Sequence, residues 1–423
     1  MMTDPLVDRA LAEARPVVFW LDQPEHPEPA PPLSADLEAD LVVVGGGFTG
    51  LWTAVTAAEA DPGRSIVVLE ADTVAFGASG RNGGFCDASL THGLENGIAH
   101  WPDEIDTLIR LGNENLRGLL DVVARHSIDC SPEPTGALDV AVAPWQTGSL
   151  AKSAVVHEAH GRHVTLLDAA ATRAEVDSPT YLGGLWHHDG VVMLDPARLA
   201  WGLLRVAKSL GVRFFENTPA RSIEAVQGTE STTVRIRTDG GSVGARNAVV
   251  ATNAFRPQVR RIRRFVVPVY DHVLVTEPLT GNRLATIGWS NRQGLSDVGS
   301  QFHYYRLTPD DRILWGGWDA LYHFGNRVDP TVEHSSSTSR LLATHFFETF
   351  PQLEGVAFTH RWSGPIGTTS RFTCAWGTSH RGRVAWSAGY TGLGVGASRF
   401  GARVALDLVD GQETERTGLE MVR

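Results

Sequence analysis

Two apolar runs near the N-terminus are unbroken, residues 41–44 (Leu, Val, Val, Val) and 66–69 (Ile, Val, Val, Leu). Short runs without alternation predict strands buried on both faces. A glycine turn and a helix fit between them, and the second strand ends in an acid, Glu70. Farther along, Ile105, Leu108, Ile109, Leu116, Leu119, Leu120 and Val123 fall on one helical face between Pro102 and about Arg125. Asp195-Pro196 reads as a capped helix start, and that helix runs to about Leu210 before Gly211. Short strands are predicted at 212–215, 222–226, 233–238 and 248–252, with Gly240-Gly241 as a turn. From residue 265 the pattern becomes strand-like at 265–277, 302–307 and 313–318, which predicts a separate antiparallel sheet. A helix is expected over 341–350, stopped by Pro351, then a strand at 384–388, a glycine turn and a helix to about Leu408. Ahead of Asp40, Pro24, Pro27, Pro29, Pro31 and Pro32 favour an extended strap over the surface.

The turn after the first run carries the chemistry. Gly45, Gly47 and Gly50 fit G-x-G-x-x-G between a strand and a helix. Gly45 permits the tight turn, Gly47 lets backbone approach a pyrophosphate, and Gly50 lets the helix pack close to the strand. The helix N-terminus offers free N–H groups to phosphate. Glu70 lies 20 residues past Gly50, where a carboxylate can accept from a ribose diol. Strand, helix, acid and spacing agree on a dinucleotide-binding βαβ unit.

At 423 residues the chain exceeds one simple core, so two domains are expected. The net charge of −11 argues against a nucleic-acid partner. The basic stretch Arg260-Arg261-Ile262-Arg263-Arg264 reads as a solvated loop ahead of a strand. Cys86, Cys130 and Cys374 are far apart and odd in number, which argues against a disulfide framework or a zinc site and suits a reducing cytoplasm. The N-terminus lacks the apolar run of a signal peptide, and no stretch of about 18 apolar residues is present to span a membrane.

Four motifs then occur in order: the βαβ unit, Gly77-Ala78-Ser79-Gly80-Arg81-Asn82-Gly83-Gly84, Ala251-Thr252-Asn253-Ala254, and Gly389-Tyr390-Thr391-Gly392-Leu393-Gly394. Together they resemble the D-amino-acid-oxidase superfamily of FAD-dependent amine oxidoreductases. The stretches 268–278 and 304–310 are similar to its gamma-glutamylputrescine oxidoreductase branch. The resemblance implies an α/β (α+β) fold: a Rossmann-like FAD-binding domain of glutathione-reductase type plus an antiparallel-sheet substrate domain. The expected division is a strap at 1–37, an FAD domain of 38–90, 191–256 and 362–423, and a substrate domain of 91–190 and 257–361. It further implies that Gly45, Gly46, Gly47, Phe48, Thr49 and Gly50 hold the FAD pyrophosphate and Glu70 the ribose. Ala78, Ser79, Arg81, Asn82, Gly83 and Gly84 would run past the pyrophosphate and flavin edge. Thr252 and Asn253 would lie at the adenine half, with Gly364, Gly392, Leu393, Gly394 and Val395 at the flavin ring.

Two departures from the superfamily carry information. A late W-x-G-x-R motif supplies an arginine for a substrate carboxylate in its amino-acid oxidases; here it reads Trp362-Ser363-Gly364-Pro365-Ile366, with Ile366 in the arginine's place. The bidentate clamp is missing there, although Arg361, Arg371, Arg306 or Arg399 could substitute. Where relatives attach flavin covalently, this chain has Gly364 and Arg81, so FAD is expected to be non-covalent. The implied reaction is hydride transfer from an amine carbon to flavin N5, the imine then hydrolysing to an aldehyde or ketone. The substrate is expected to be a primary or secondary amine such as a polyamine derivative, and the electrons to pass to oxygen or another carrier. His272 and His303 are the candidate bases, and Tyr270, Tyr304 and Arg306 the candidate pocket residues. Alternation puts Tyr270 and His272 on one face and Asp271 on the other, while Tyr304 and Arg306 share a face. An amino-acid oxidase or deaminase, a flavin monooxygenase and a non-catalytic nucleotide-binding protein remain as alternatives.

Overall fold

The computed structural model describes residues 4–227, 232–329, 333 and 335–423. Two eight-stranded sheets dominate the described residues. At the centre of the first lies Leu37–Val44, parallel to Ile66–Leu69 on one side and Ser242–Val250 on the other. Arg213–Phe215 and Val384–Ala388 extend it in parallel, and Ala375–Ser379 closes one edge antiparallel. Leu41, Val42, Val43, Val67 and Val68 are fully buried, as unbroken apolar strands covered on both faces must be. The hairpin Ser222–Gln227 and Thr232–Arg237 runs off Ser242–Val250.

The helix Phe48–Ala60 packs against Gly394–Val409 and Pro196–Ser209. Its approach to the sheet depends on Gly50, where a Cβ would stand 1.9 Å from the Gly45 carbonyl oxygen. Gly45 itself takes φ +114°, a region that favours glycine. Asp195 caps Pro196–Ser209 by accepting from the Arg198 amide at 2.9 Å, as its sequence predicts.

The second sheet runs in the order Phe358–Thr368, Val267–Thr276, Ile313–Gly317, His303–Leu307, Gly294–Asp297, Ala137–Ala141, Gly183–His187 and Val164–Asp168. All neighbours are antiparallel except Gly294–Asp297 and Ala137–Ala141. Its core is aromatic: Tyr305, Trp315, Phe346, Phe350 and Phe358 are fully buried together.

The structure corrects several expectations. The strap is not wholly extended: Pro5–Leu11 is a helix capped by Asp4, and Phe19–Leu21 is a 3-10 turn burying Trp20. Residues 1–3 of the strap lie outside the described residues. The domain boundary drawn at 362 falls inside Phe358–Thr368, which pairs with Val267–Thr276 along its whole length. The helix expected from 341 starts at Ser336, because the Ser335 hydroxyl caps it from the Thr338 amide at 3.2 Å. The basic stretch forms a 3-10 turn, Arg260–Arg264, that buries Ile262 and sets Arg260 and Arg263 on a cavity wall. Among the described residues no helix is long and apolar enough to cross a membrane.

Gly50→Ala forces the helix away from the turn. It is expected to lower unfolding free energy by at least about 2 kcal/mol, read by urea denaturation, with loss of nucleotide binding.

Candidate active site

One continuous cavity of about 1550 Å³ opens from the C-terminal edge of the first sheet and reaches the second. Of the residues expected at the cofactor, all but Gly46, Gly50 and Gly84 line it. Gly46 stands behind the wall and donates its amide to Glu70 Oε2 at 2.6 Å. Glu70 Oε1 accepts from the Asp72 amide at 2.9 Å, and burial raises its pKa above the ordinary carboxylate value. Ser79 accepts from the Phe48 amide at 2.8 Å and so ties the two glycine loops together. Asn253 takes φ +43°, and its side-chain oxygen accepts from the Gly389 amide at 2.8 Å, joining two of the expected cofactor motifs.

This cradle fits a dinucleotide. A Cβ at Gly45 would meet the Ala251 carbonyl at 2.7 Å, and one at Gly47 would meet Ser79 Oγ at 2.9 Å. The hydroxyls of Thr252 and Ser398 face the same cavity, buried and without hydrogen-bond partners. Helix Gly394–Val409 has no side-chain cap at its start, so its first amides stay free at the cavity wall.

The second glycine loop is held from behind through its carbonyls. Trp362 Nε1 donates to Arg81 O at 2.9 Å and Trp20 Nε1 to Asn82 O at 2.8 Å. Arg306 Nη1 donates to Gly84 O at 3.3 Å and to Leu194 O at 2.8 Å. The side chain of Arg81 turns back on Ser363 O at 2.9 Å and Glu333 at 2.7 Å.

Facing this loop is a carboxylate that sequence reasoning passed over. Asp271 lines the cavity and accepts a hydrogen bond from the Tyr304 hydroxyl. Gly316, on the strand between them, leaves room for the Tyr304 ring; a Cβ there would fall 2.5 Å from Tyr304 Cζ. Burial pushes the Asp271 carboxyl up to about 6, against hydrogen bonds from Tyr304 and the His272 and Gly317 amides. Burial and then the Asp271 charge push the Tyr304 hydroxyl well above 10. The available signal was alternation, which set Asp271 opposite Tyr270 and His272.

The other candidates lie elsewhere. His272 is buried off the cavity, with neither ring nitrogen hydrogen-bonded, and burial pulls it down to about 4. That leaves it neutral, inside the sheet and away from the cavity. His303 is clasped by Asp297 at 2.7 Å and His345 at 3.1 Å and stacks between Trp315 and Trp318, also off the cavity. Tyr270 touches the wall, but its hydroxyl accepts from the Asp329 amide at 3.1 Å and its ring meets His323. Arg306 is fully buried off the cavity and donates to the loop carbonyl of Gly84 and to Leu194 O. None of the four arginines that could replace the missing clamp lines the cavity. Arg371 lies over Trp101 and Arg399 over Trp52.

Comparison with known proteins decides the family. The family described as FAD dependent oxidoreductase (DAO) matches residues 40–408. The chain belongs to the DAO family of FAD-dependent oxidoreductases. It is 32% identical over 388 residues to the gamma-glutamylputrescine oxidoreductase of Escherichia coli (strain K12), covering 90% of this chain and 85% of that one. It is 22% identical over 356 residues to the sarcosine oxidase subunit beta of Rhizobium meliloti (strain 1021), covering 82% and 76%. Among solved structures, glycine oxidase from Geobacillus kaustophilus shares the fold at TM-score 0.74 and 18% identity, covering 90% of this chain and 96% of that one. L-amino acid deaminase from Proteus vulgaris does so at TM-score 0.71 and 15% identity, covering 92% and 96%.

The carbonyl anchors give a direct test. Trp20→Phe keeps the ring and deletes its N–H, leaving Asn82 O unpaired. A loss of about 1–3 kcal/mol is expected in urea denaturation, together with weaker FAD retention in a fluorescence titration.

Proposed function

We propose that this enzyme oxidises the carbon–nitrogen bond of a primary or secondary amine. The observation that carries the proposal is Asp271, a half-buried carboxylate beside the flavin loops with Tyr304 as its only side-chain hydrogen-bond donor among the described residues. A carboxylate there suits an ammonium, whereas an α-amino acid would bring a second carboxylate to a wall that lacks Arg306, Arg361, Arg371 and Arg399 and whose Arg81 is already paired with Glu333. Relatives named for gamma-glutamylputrescine and sarcosine support a nitrogen-bearing substrate.

In this proposal Gly45–Thr49 and the helix start hold the FAD pyrophosphate, Glu70 the ribose, and Gly392–Val395 the flavin ring. Gly364 and Arg81 supply no nucleophile, so the cofactor is non-covalent. The division of the chain follows the sheets: 38–90, 191–256 and 369–423 for FAD, and 91–190 with 257–368 for substrate. Bound FAD supplies the hydride acceptor. Asp271 receives the ammonium and takes its proton, which leaves the nitrogen lone pair free to assist loss of the hydride. Tyr304 holds the Asp271 carboxylate toward the substrate and, with its ring, walls off water. Water then hydrolyses the released imine to a carbonyl compound.

The test is anaerobic bleaching of the bound flavin by amines and by amino acids. Bleaching by amines alone is expected; bleaching by α-amino acids alone would overturn the proposal. For wild type, kcat/KM should fall as pH drops below about 6, where Asp271 protonates. Asp271→Asn should lower the neutral-pH rate about 100-fold and abolish that limb. Stability moves the other way. The native pKa lies above the ordinary carboxyl value of 3.8, so the stability present below that value is lost as pH rises through about 6. Asp271→Asn should therefore melt no lower than the parent at about pH 8.

A further inference from the structure

One wall of the cavity lies beside Glu70, on the first sheet. There the chain after Phe215 closes onto the βαβ unit: the Asn217 amide donates to Asp72 O at 2.8 Å and the Thr218 amide to Glu70 O at 2.7 Å. Gln258 Nε2 donates to Ala220 O at 2.7 Å, and the Phe255 ring lies against Gly77. These contacts bring the segment after Ala254 to the same wall, where Arg256, Gln258, Arg260 and Arg263 line the cavity with Arg221. Gln258 Oε1 is buried there without a partner, an acceptor that suits the amino group of an adenine ring.

Two of these arginines stand together for a local reason. Arg260–Arg264 is a 3-10 turn, in which side chains three apart eclipse, so Arg260 and Arg263 share a face. Val259 and Ile262 are buried in the core of the first sheet and pin the turn. Arg256, Arg260 and Arg263 are exposed, and among the described residues no ion pair engages them. Arg221 is held by Asp239 at 2.9 Å, and the acids on this wall are Glu70 and Asp72. Residues 240–270 contain six arginines and no acid, so the positive field here is not neutralised by the local sequence.

The chain as a whole is acidic, with a net charge of −11. The pyrophosphate of FAD is a dianion, so the molecule at large repels its own cofactor. Unpaired guanidinium groups on the cavity wall reverse that field where the ligand must enter. Arginines kept for packing would be buried or paired, and these are neither. We infer that Arg256, Arg260 and Arg263 form a loading collar, which attracts the FAD pyrophosphate as it approaches and passes it to the glycine cradle. The collar acts on the encounter and not on the bound state, so it speeds association and leaves release unchanged. It rests on the cofactor placement proposed above and is independent of the amine reading.

The test dilutes the FAD-loaded enzyme and follows the rise of free FAD fluorescence at several protein concentrations. The rate gives release, the plateaus give the dissociation constant, and their ratio gives association. Between about 20 mM and about 500 mM salt the wild-type association constant is expected to fall about tenfold. Arg260→Gln with Arg263→Gln should lower the low-salt value about fivefold, flatten its salt dependence and keep release within about twofold of the parent. Arg117→Gln with Arg205→Gln removes the same charge from exposed positions off the cavity and should leave association within about twofold. A wild-type association constant that ignores salt, or rises with it, would overturn the collar, and this arm needs no variant to fold. An equal loss in both pairs would also overturn it, as would a loss carried by faster release, which would make these arginines holders of bound FAD. A purified chain that releases no FAD even on denaturation would overturn the cofactor placement, and the collar with it.

Discussion

The site depends on how a loop without a sheet partner along most of its length is kept in one path. The chain from Gly77 to Gly84 includes a short helix, Ala78–Arg81, and presents its open side to the cavity. Its closed side offers carbonyls that cannot be left dry. Each is met by a buried donor from a different part of the chain: Trp20 from the N-terminal segment, Trp362 from Phe358–Thr368, and Arg306 from His303–Leu307. Because each donor is itself buried, moving the loop would strand both partners, at about 1–3 kcal/mol apiece. Arg306 carries the steepest cost. It is fully enclosed, with Glu133 at 3.8 Å as its near counter-charge, and burial pulls its pKa down to about 10. It still remains protonated at neutral pH, so the loop rests on a permanent cation.

The two sheets are legible in the sequence to different degrees for a physical reason. The first βαβ unit is local: strands, glycines and acid lie within thirty-odd residues, and each pattern is dictated by burial on both faces. Val384–Ala388 and the Asp195 cap are local signals too. The strands Ala137–Ala141 and Gly183–His187 are not. They are short and rich in alanine and glycine, and Ala137–Ala141 takes a neighbour, Gly294–Asp297, from far along the chain. Nothing within five residues states that partnership. Phe358–Thr368 was hidden by Gly364 and Pro365, which weaken a strand pattern although the strand pairs through both.

The same logic explains the pocket. Alternation along Val267–Thr276 separates Asp271 from Tyr270 and His272, but which face meets the glycine loops is set by register across Ile313–Gly317. There Gly316 opens the path that lets Tyr304 reach Asp271. Histidine draws attention because its free pKa suits catalysis, yet His272 and His303 lie on the aromatic side of the sheet, where burial lowers His272 and His303 stacks on Trp315. Burial has a contrary effect on Asp271: it moves a carboxyl into a useful range instead of silencing it.

The alternation of Ala137–Ala141 separates two kinds of change. Leu138 and Val140 belong to the packed interior, so replacing either disturbs the fold. Asp139 lies one residue away on the cavity face, held there by Ser296 and His187. Lineages sharing this scaffold can therefore vary the cavity face of this strand while its core face stays fixed. The place to look for divergence among them is a single face of one five-residue strand.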